Sequence, residues 1–115
     1  MFHRAAIAEI ASLEQMYVFR RPEEVIEFLE DHPFLVALLF DAHPQIVKHF
    51  GPRPDAVLEV VVDPEAMADR ELFALIRTHL PPRDALSRLE RLDEEWWIEA
   101  LERAQGALCI DLEFA

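Results

Sequence analysis

Apolar and polar positions alternate along this chain with two different periods, and the period changes three times. In "AAIAEIASLEQMYV", residues 5–18, Ile7, Ile10, Leu13 and Tyr17 recur at helical spacing, which predicts a short amphipathic N-terminal helix. It lies within residues 1–20, and its uncapped start is expected to fray. The "RRPEE" that follows is a better start signal. Pro22 suits the first helical position, and Glu23 and Glu24 sit where the helix dipole favours negative charge. Val25, Ile26, Phe28 and Leu29 then make one face, and "DHP" at 31–33 ends the helix because the residue before proline leaves the helical region.

A third helix is predicted from Phe34, with Leu35, Leu38, Leu39, Ala42, Ile46 and Phe50 on a stripe and a kink or restart near His43, where Pro44 interrupts. "GPRPD", 51–55, is the clearest breaker in the chain. Beyond it the period shifts to two. "AVLEVVVD", 56–63, and "RELFALIRT", 70–78, read as strands, with "PEAMAD" between them as a loop long enough to hold one helical turn.

Helix resumes at "PPRDALSRLERL", where Ala85, Leu86, Leu89 and Leu92 form a stripe. Carried on without a break, that stripe would bury Asp93, so a break is expected, with Asp93 capping a new helix that ends at Gly106. In that second helix Trp97, Ala100, Leu101 and Ala104 share the core face and Trp96 swings to its boundary, over the sheet or against a partner. Finally, Leu108, Ile110, Leu112 and Phe114 alternate with Cys109, Asp111 and Glu113 in a last strand.

The element order α-α-α-β-β-α-α-β predicts a single α+β domain, 1–115, with one helical layer on a three-stranded antiparallel sheet. The first strand is apolar on both faces, which puts it at the centre and gives the order 2-1-3.

Composition narrows the chemistry. The chain has 115 residues, 52% of them hydrophobic, and its one cysteine, Cys109, permits no internal disulfide. That is enough to build one core in a reducing compartment, so a cytoplasmic location is expected. No stretch approaches the length of a membrane span. A formal charge of −12, spread over the whole length, disfavours nucleic acid and suits a basic protein partner.

Ser12, Ser87 and Thr78 lack the glycines of a nucleophile elbow, and Cys109 shares its strand face with Asp111 and Glu113, which disfavour a thiolate. The nearest histidines, His43 and His49, are six apart and off the spacing that puts two metal ligands on one helix face. Gly51 and Gly106, the only glycines, cannot build a phosphate loop or a dinucleotide fingerprint. No cofactor, metal or catalytic residue is assigned.

The segments "LEVVVDPE", "ELFALIRT", "DALSRLERLDEEWW" and "LCIDLEF" together resemble a group of small bacterial proteins without an established activity. That group shows a strand ending in Asp-Pro-Glu, a second apolar strand, and a helix leading into an acidic-Trp-Trp corner. The resemblance covers the last two thirds of the chain and implies an antitoxin-like or accessory role.

The leading expectation is a non-catalytic protein-protein interaction domain that self-associates as a dimer. Two apolar groups beyond the main core carry it: Val36, Phe40 and Val47 on the third helix, and Val57, Val61, Phe73 and Leu75 on the sheet face opposite the core, with Glu59 and Arg77 among them. Trp96 is a further interface candidate. The N-terminal helix, through Ile7, Ile10, Leu13 and Tyr17, is the alternative cover for one of these groups. Two other readings stay open: an antitoxin-like protein binding a basic partner, and a small ligand-binding protein or enzyme with a cleft near Asp63, Glu65 and His79.

Overall fold

A computed structural model describes residues 2–62 and 70–115. Helix α1 (Phe2–Leu13) leads through a turn into a two-residue strand β1 (Val18–Phe19), then α2 (Pro22–Asp31) and α3 (Phe34–Phe50). A hairpin of β2 (Asp55–Val62) and β3 (Arg70–Thr78) follows. Then α4 (Pro82–Leu92), a π-helical turn (Asp93–Trp97) and α5 (Ile98–Ala104) run into β4 (Leu108–Phe114).

The protein is α+β, but its sheet differs from the expected one. Four strands stand in the order β1-β2-β3-β4, with β2 and β3 antiparallel and each outer strand parallel to its neighbour. The three-stranded antiparallel order 2-1-3 is therefore corrected twice. Two residues are too few to show a period, which hid β1. The long helix between β3 and β4 runs the chain back before β4 begins, so β4 lies parallel to β3 instead of beside β2. β2 is an inner strand, but it lies between β1 and β3 and not between β3 and β4, as the order 2-1-3 required.

Pro22 opens α2 with Glu23 and Glu24 in the first turn, as its sequence dictates. Helix α3 runs unbroken through Pro44, with no restart at His43. The N-terminal helix stops at Leu13, and Tyr17 reaches the core from the turn beyond it, donating its hydroxyl to Leu39 O at 2.7 Å. Ile10, Leu13 and Tyr17 are buried, and α1 packs on α2 and α3. The side chain of Ile7 lies outside the described residues, as does the loop read as "PEAMAD".

The expected break at Asp93 is absent. Asp93 keeps helical angles (φ −60°, ψ −52°), and Ile98 N–H donates to Asp93 O, five residues back. A π turn takes up one extra residue. The buried positions thus step from Ala85 and Leu92 to Trp97, Ala100 and Ala104 with a jump of five at the turn, keeping one face inward through a single helix. Asp93 is left half-buried at the margin, and Leu86 and Leu101, expected on the stripe, are each 50% exposed.

Ala56, Leu58 and Val60 of β2 face Ile76, Ala74 and Leu72 of β3, and these join Leu108 and Ile110 in one core with all the helices. Val57 is as buried as they are yet stands outside that core, because it points to the other side of the sheet.

Candidate protein-interaction face

Strand alternation assigns the second sheet face. Val57, Glu59 and Val61 of β2, Glu71, Phe73, Leu75 and Arg77 of β3, Cys109, Asp111 and Glu113 of β4, and Val18 of β1 share it. Four cross-strand rows result: Val18–Val57–Leu75–Asp111, Glu59–Phe73–Cys109, Asp55–Arg77–Glu113, and Val61–Glu71. Among the described residues no helix covers this face.

What crosses it is a charge network. Arg20, the residue after β1, donates from Nη1 to Glu59 Oε1 and Glu113 Oε2, both at 2.9 Å, and from Nη2 to Glu113 Oε1 at 2.8 Å. The strain of Arg21, left-handed at φ 51°, is offset by its Nη2, which donates to Glu59 Oε2 at 2.9 Å and Val60 O at 3.1 Å. Arg77 lies between the two acids of its row, with Nη1 3.3 Å from Asp55 Oδ2 and Nε 3.0 Å from Glu113 Oε1. The Nε contact is off line for an N–H donor and acts as an ion pair only.

The forked bond from Arg20 holds the Glu113 carboxyl below the usual carboxylate range, against the opposing effect of burial, and the same bonds raise Arg20 above its already high value. Glu59 on β2 and Glu113 on β4 stand in the two rows that flank the Val57–Leu75 row, and Arg20 bonds to both. Val57, between Val18 and Leu75 in that row, is 2% exposed. Isolated surface pairs contribute little, but a bidentate network of this kind fixes geometry. Around it, Val18 is 59% exposed, and Val61, Phe73, Leu75 and Cys109 are half-buried.

The sequence-derived candidates fall on both sides of the sheet. Phe73 and Leu75 sit on this face, two residues apart on β3. Val36 does not offer a surface: at 3% exposure it belongs to the core. Phe40 is half-buried against that core, Val47 is half-buried farther along α3, and Trp96 packs half-buried on the helical side with its ring 5.7 Å from that of Trp97. The structure therefore unites Phe73 and Leu75 and separates them from the other four. Sequence reading missed Arg20 and Glu113 as partners. The one available hint was a basic pair beside an edge and an acid on the wet face of the last strand.

Of the cleft expected near Asp63, Glu65 and His79, only His79 lies within the described residues. Asp63 and Glu65 lie outside them. His79 lines a cavity of about 220 Å³ with Arg53, Asp55, Arg77 and Thr78.

Chemistry on the open face is weak. Burial first, then the charges of Glu71, Asp111 and Asp93, push the Cys109 thiol up to about 11, so it is protonated and a poor nucleophile at neutral pH. Among the described residues no three histidines, cysteines or acids cluster as metal ligands, and no helix is long and apolar enough to cross a membrane. No known protein family, curated protein or solved structure matches the chain.

Proposed function

We propose that the protein is a non-catalytic interaction domain that docks through its open sheet face, and that the occupant is a second copy of the same chain. The observation that carries this reading is the apolar strip of Val18, Val61, Phe73 and Leu75 on the one sheet face that no described helix covers. Apolar surface framed by charges is what association sites offer.

Charge placement favours a second copy. Arg20 and Glu113 already neutralise each other across the face, so the charges turned to a partner are the half-exposed Arg21 beside β1 at one edge and the exposed Asp111 on β4 at the other. A two-fold axis parallel to the strands sets the β1 edge of one copy over the β4 edge of its partner, and so lays bases on acids twice. Sheets stacked this way interdigitate about 10 Å apart. Amide resonances followed on dilution test the surface: shifts confined to outward residues of β1–β4 are expected, and shifts confined to the helical layer would refute it.

The net charge of −12 favours a second reading, a basic protein partner in an antitoxin-like role. Salt-sensitive heteromeric binding to the product of an adjacent gene, with no self-association, is the outcome that supports it.

A further inference from the structure

On the helical side, the end of α3 and the facing side of α4 leave a cavity of about 330 Å³ lined by Lys48, His49, Asp84, Ser87, Arg88 and Arg91. The α4 wall follows from helical spacing, since positions 84, 87, 88 and 91 fall on one face. Three of the chain's 11 Lys and Arg residues therefore converge on one hollow of a protein that is otherwise strongly acidic.

The donors are only partly used. Arg88 Nη1 donates to His49 O at 3.0 Å, satisfying a carbonyl at the end of α3. Lys48 Nζ lies 3.0 Å from Glu95 Oε1. Arg91 has no carboxylate partner among the described residues. His49 is buried with Nδ1 donating to Gln45 O at 2.9 Å, because a carbonyl only accepts. Its Nε2, 3.3 Å from Glu95 Oε1, makes no hydrogen bond. The imidazole is thus held in the wall, and the donors that line the cavity beside it are Lys48, Arg88, Arg91 and the Ser87 hydroxyl.

We propose that this cavity binds a small soluble phosphomonoester, its phosphate held between Arg88, Arg91, Ser87 and Lys48. Two guanidinium forks three residues apart on one helix match the oxygens of a phosphate, and a lysine from the facing helix adds a point charge. The carboxylate of Asp84 closes the same wall. It opposes a second phosphate and accepts a hydrogen bond from a hydroxyl or ammonium group, which selects a monoester of a hydroxylated or aminated molecule over a polyphosphate. The surrounding negative field repels long polyanions, so a nucleic acid does not fit. The cavity holds more than phosphate alone.

Calorimetric titration of the full chain with inorganic phosphate and with ribose 5-phosphate tests the site. One saturable site is expected, tighter for ribose 5-phosphate, with Asp84→Asn removing that preference. Arg91→Glu should weaken binding about tenfold or more, whereas Arg83→Glu, on the same helix but off the cavity, should leave it unchanged. Arg91→Gln replaces the reversal if the latter does not fold. Absence of saturable binding, equal losses in the two charge reversals, or binding only to vesicles carrying phosphatidic acid would each overturn the assignment.

Discussion

Arg20, just past the shortest strand of the sheet, holds Glu113 of the opposite edge strand through two donors at 2.9 and 2.8 Å, with β2 and β3 between them. The contact stabilises the ionised carboxylate, so the Glu113 pKa is lower folded than unfolded. Its contribution is therefore present above the ordinary carboxylate range and is lost as pH falls through the depressed value. Urea denaturation at a series of pH values should show the wild-type midpoint falling more steeply in acid than that of Arg20→Gln. Parallel profiles would mean the pair adds nothing to stability.

Asp93 carries the opposite sign. Burial, followed by the charges of Asp111, Glu90 and Glu94, raises its pKa. The folded state thus prefers the protonated acid, and stability falls as pH rises from the unfolded value through the folded one. Asp93→Asn should stabilise the protein at neutral pH, with the gain shrinking in acid. If Asp93 instead capped a helix start, its replacement by Ala would cost about 1 kcal/mol at neutral pH.

Gly51 ends α3 at φ 109°, ψ 170°, a conformation that side chains rarely adopt, though a Cβ there would meet nothing within 4 Å. Gly51→Ala should therefore cost about 1–3 kcal/mol through the backbone alone. A loss below a few tenths would show that the turn relaxes freely.

The buried Tyr17 hydroxyl donates to Leu39 O in the middle of α3, tying the turn after α1 to the core helix. Tyr17→Phe keeps the ring and removes the bond, at an expected cost of about 0.5–1.5 kcal/mol. Unfolding of both proteins, followed by circular dichroism in urea, measures it.

Much of this fold is legible in the sequence where a periodic run is long. Leu35, Leu38, Leu39 and Ile46 mark α3, and the alternation from Ala56 to Val62, from Arg70 to Thr78 and from Leu108 to Phe114 marks three strands and their open face. Short or non-local features are not. β1 has two residues and no period, and Arg20 meets Glu113 across 93 positions. The π turn escapes any reading that fixes helical spacing at three and four, which is why Asp93 looked like a break. For the candidate interface, Phe73 and Leu75 followed from alternation, but the burial of Val36 depends on tertiary packing in the helical layer, which its own helical stripe does not reveal.

The most direct test of docking through the open sheet face is the solution mass by light scattering at micromolar concentration, for the wild type and for Phe73→Glu. Phe73 is half-buried on the side away from the core, so the variant should still fold. The expected result is a dimer for the wild type, about twice the 13.4 kDa chain mass, and a folded monomer for Phe73→Glu. A wild type that is monomeric at every concentration, or a dimer that Phe73→Glu leaves intact, would contradict it.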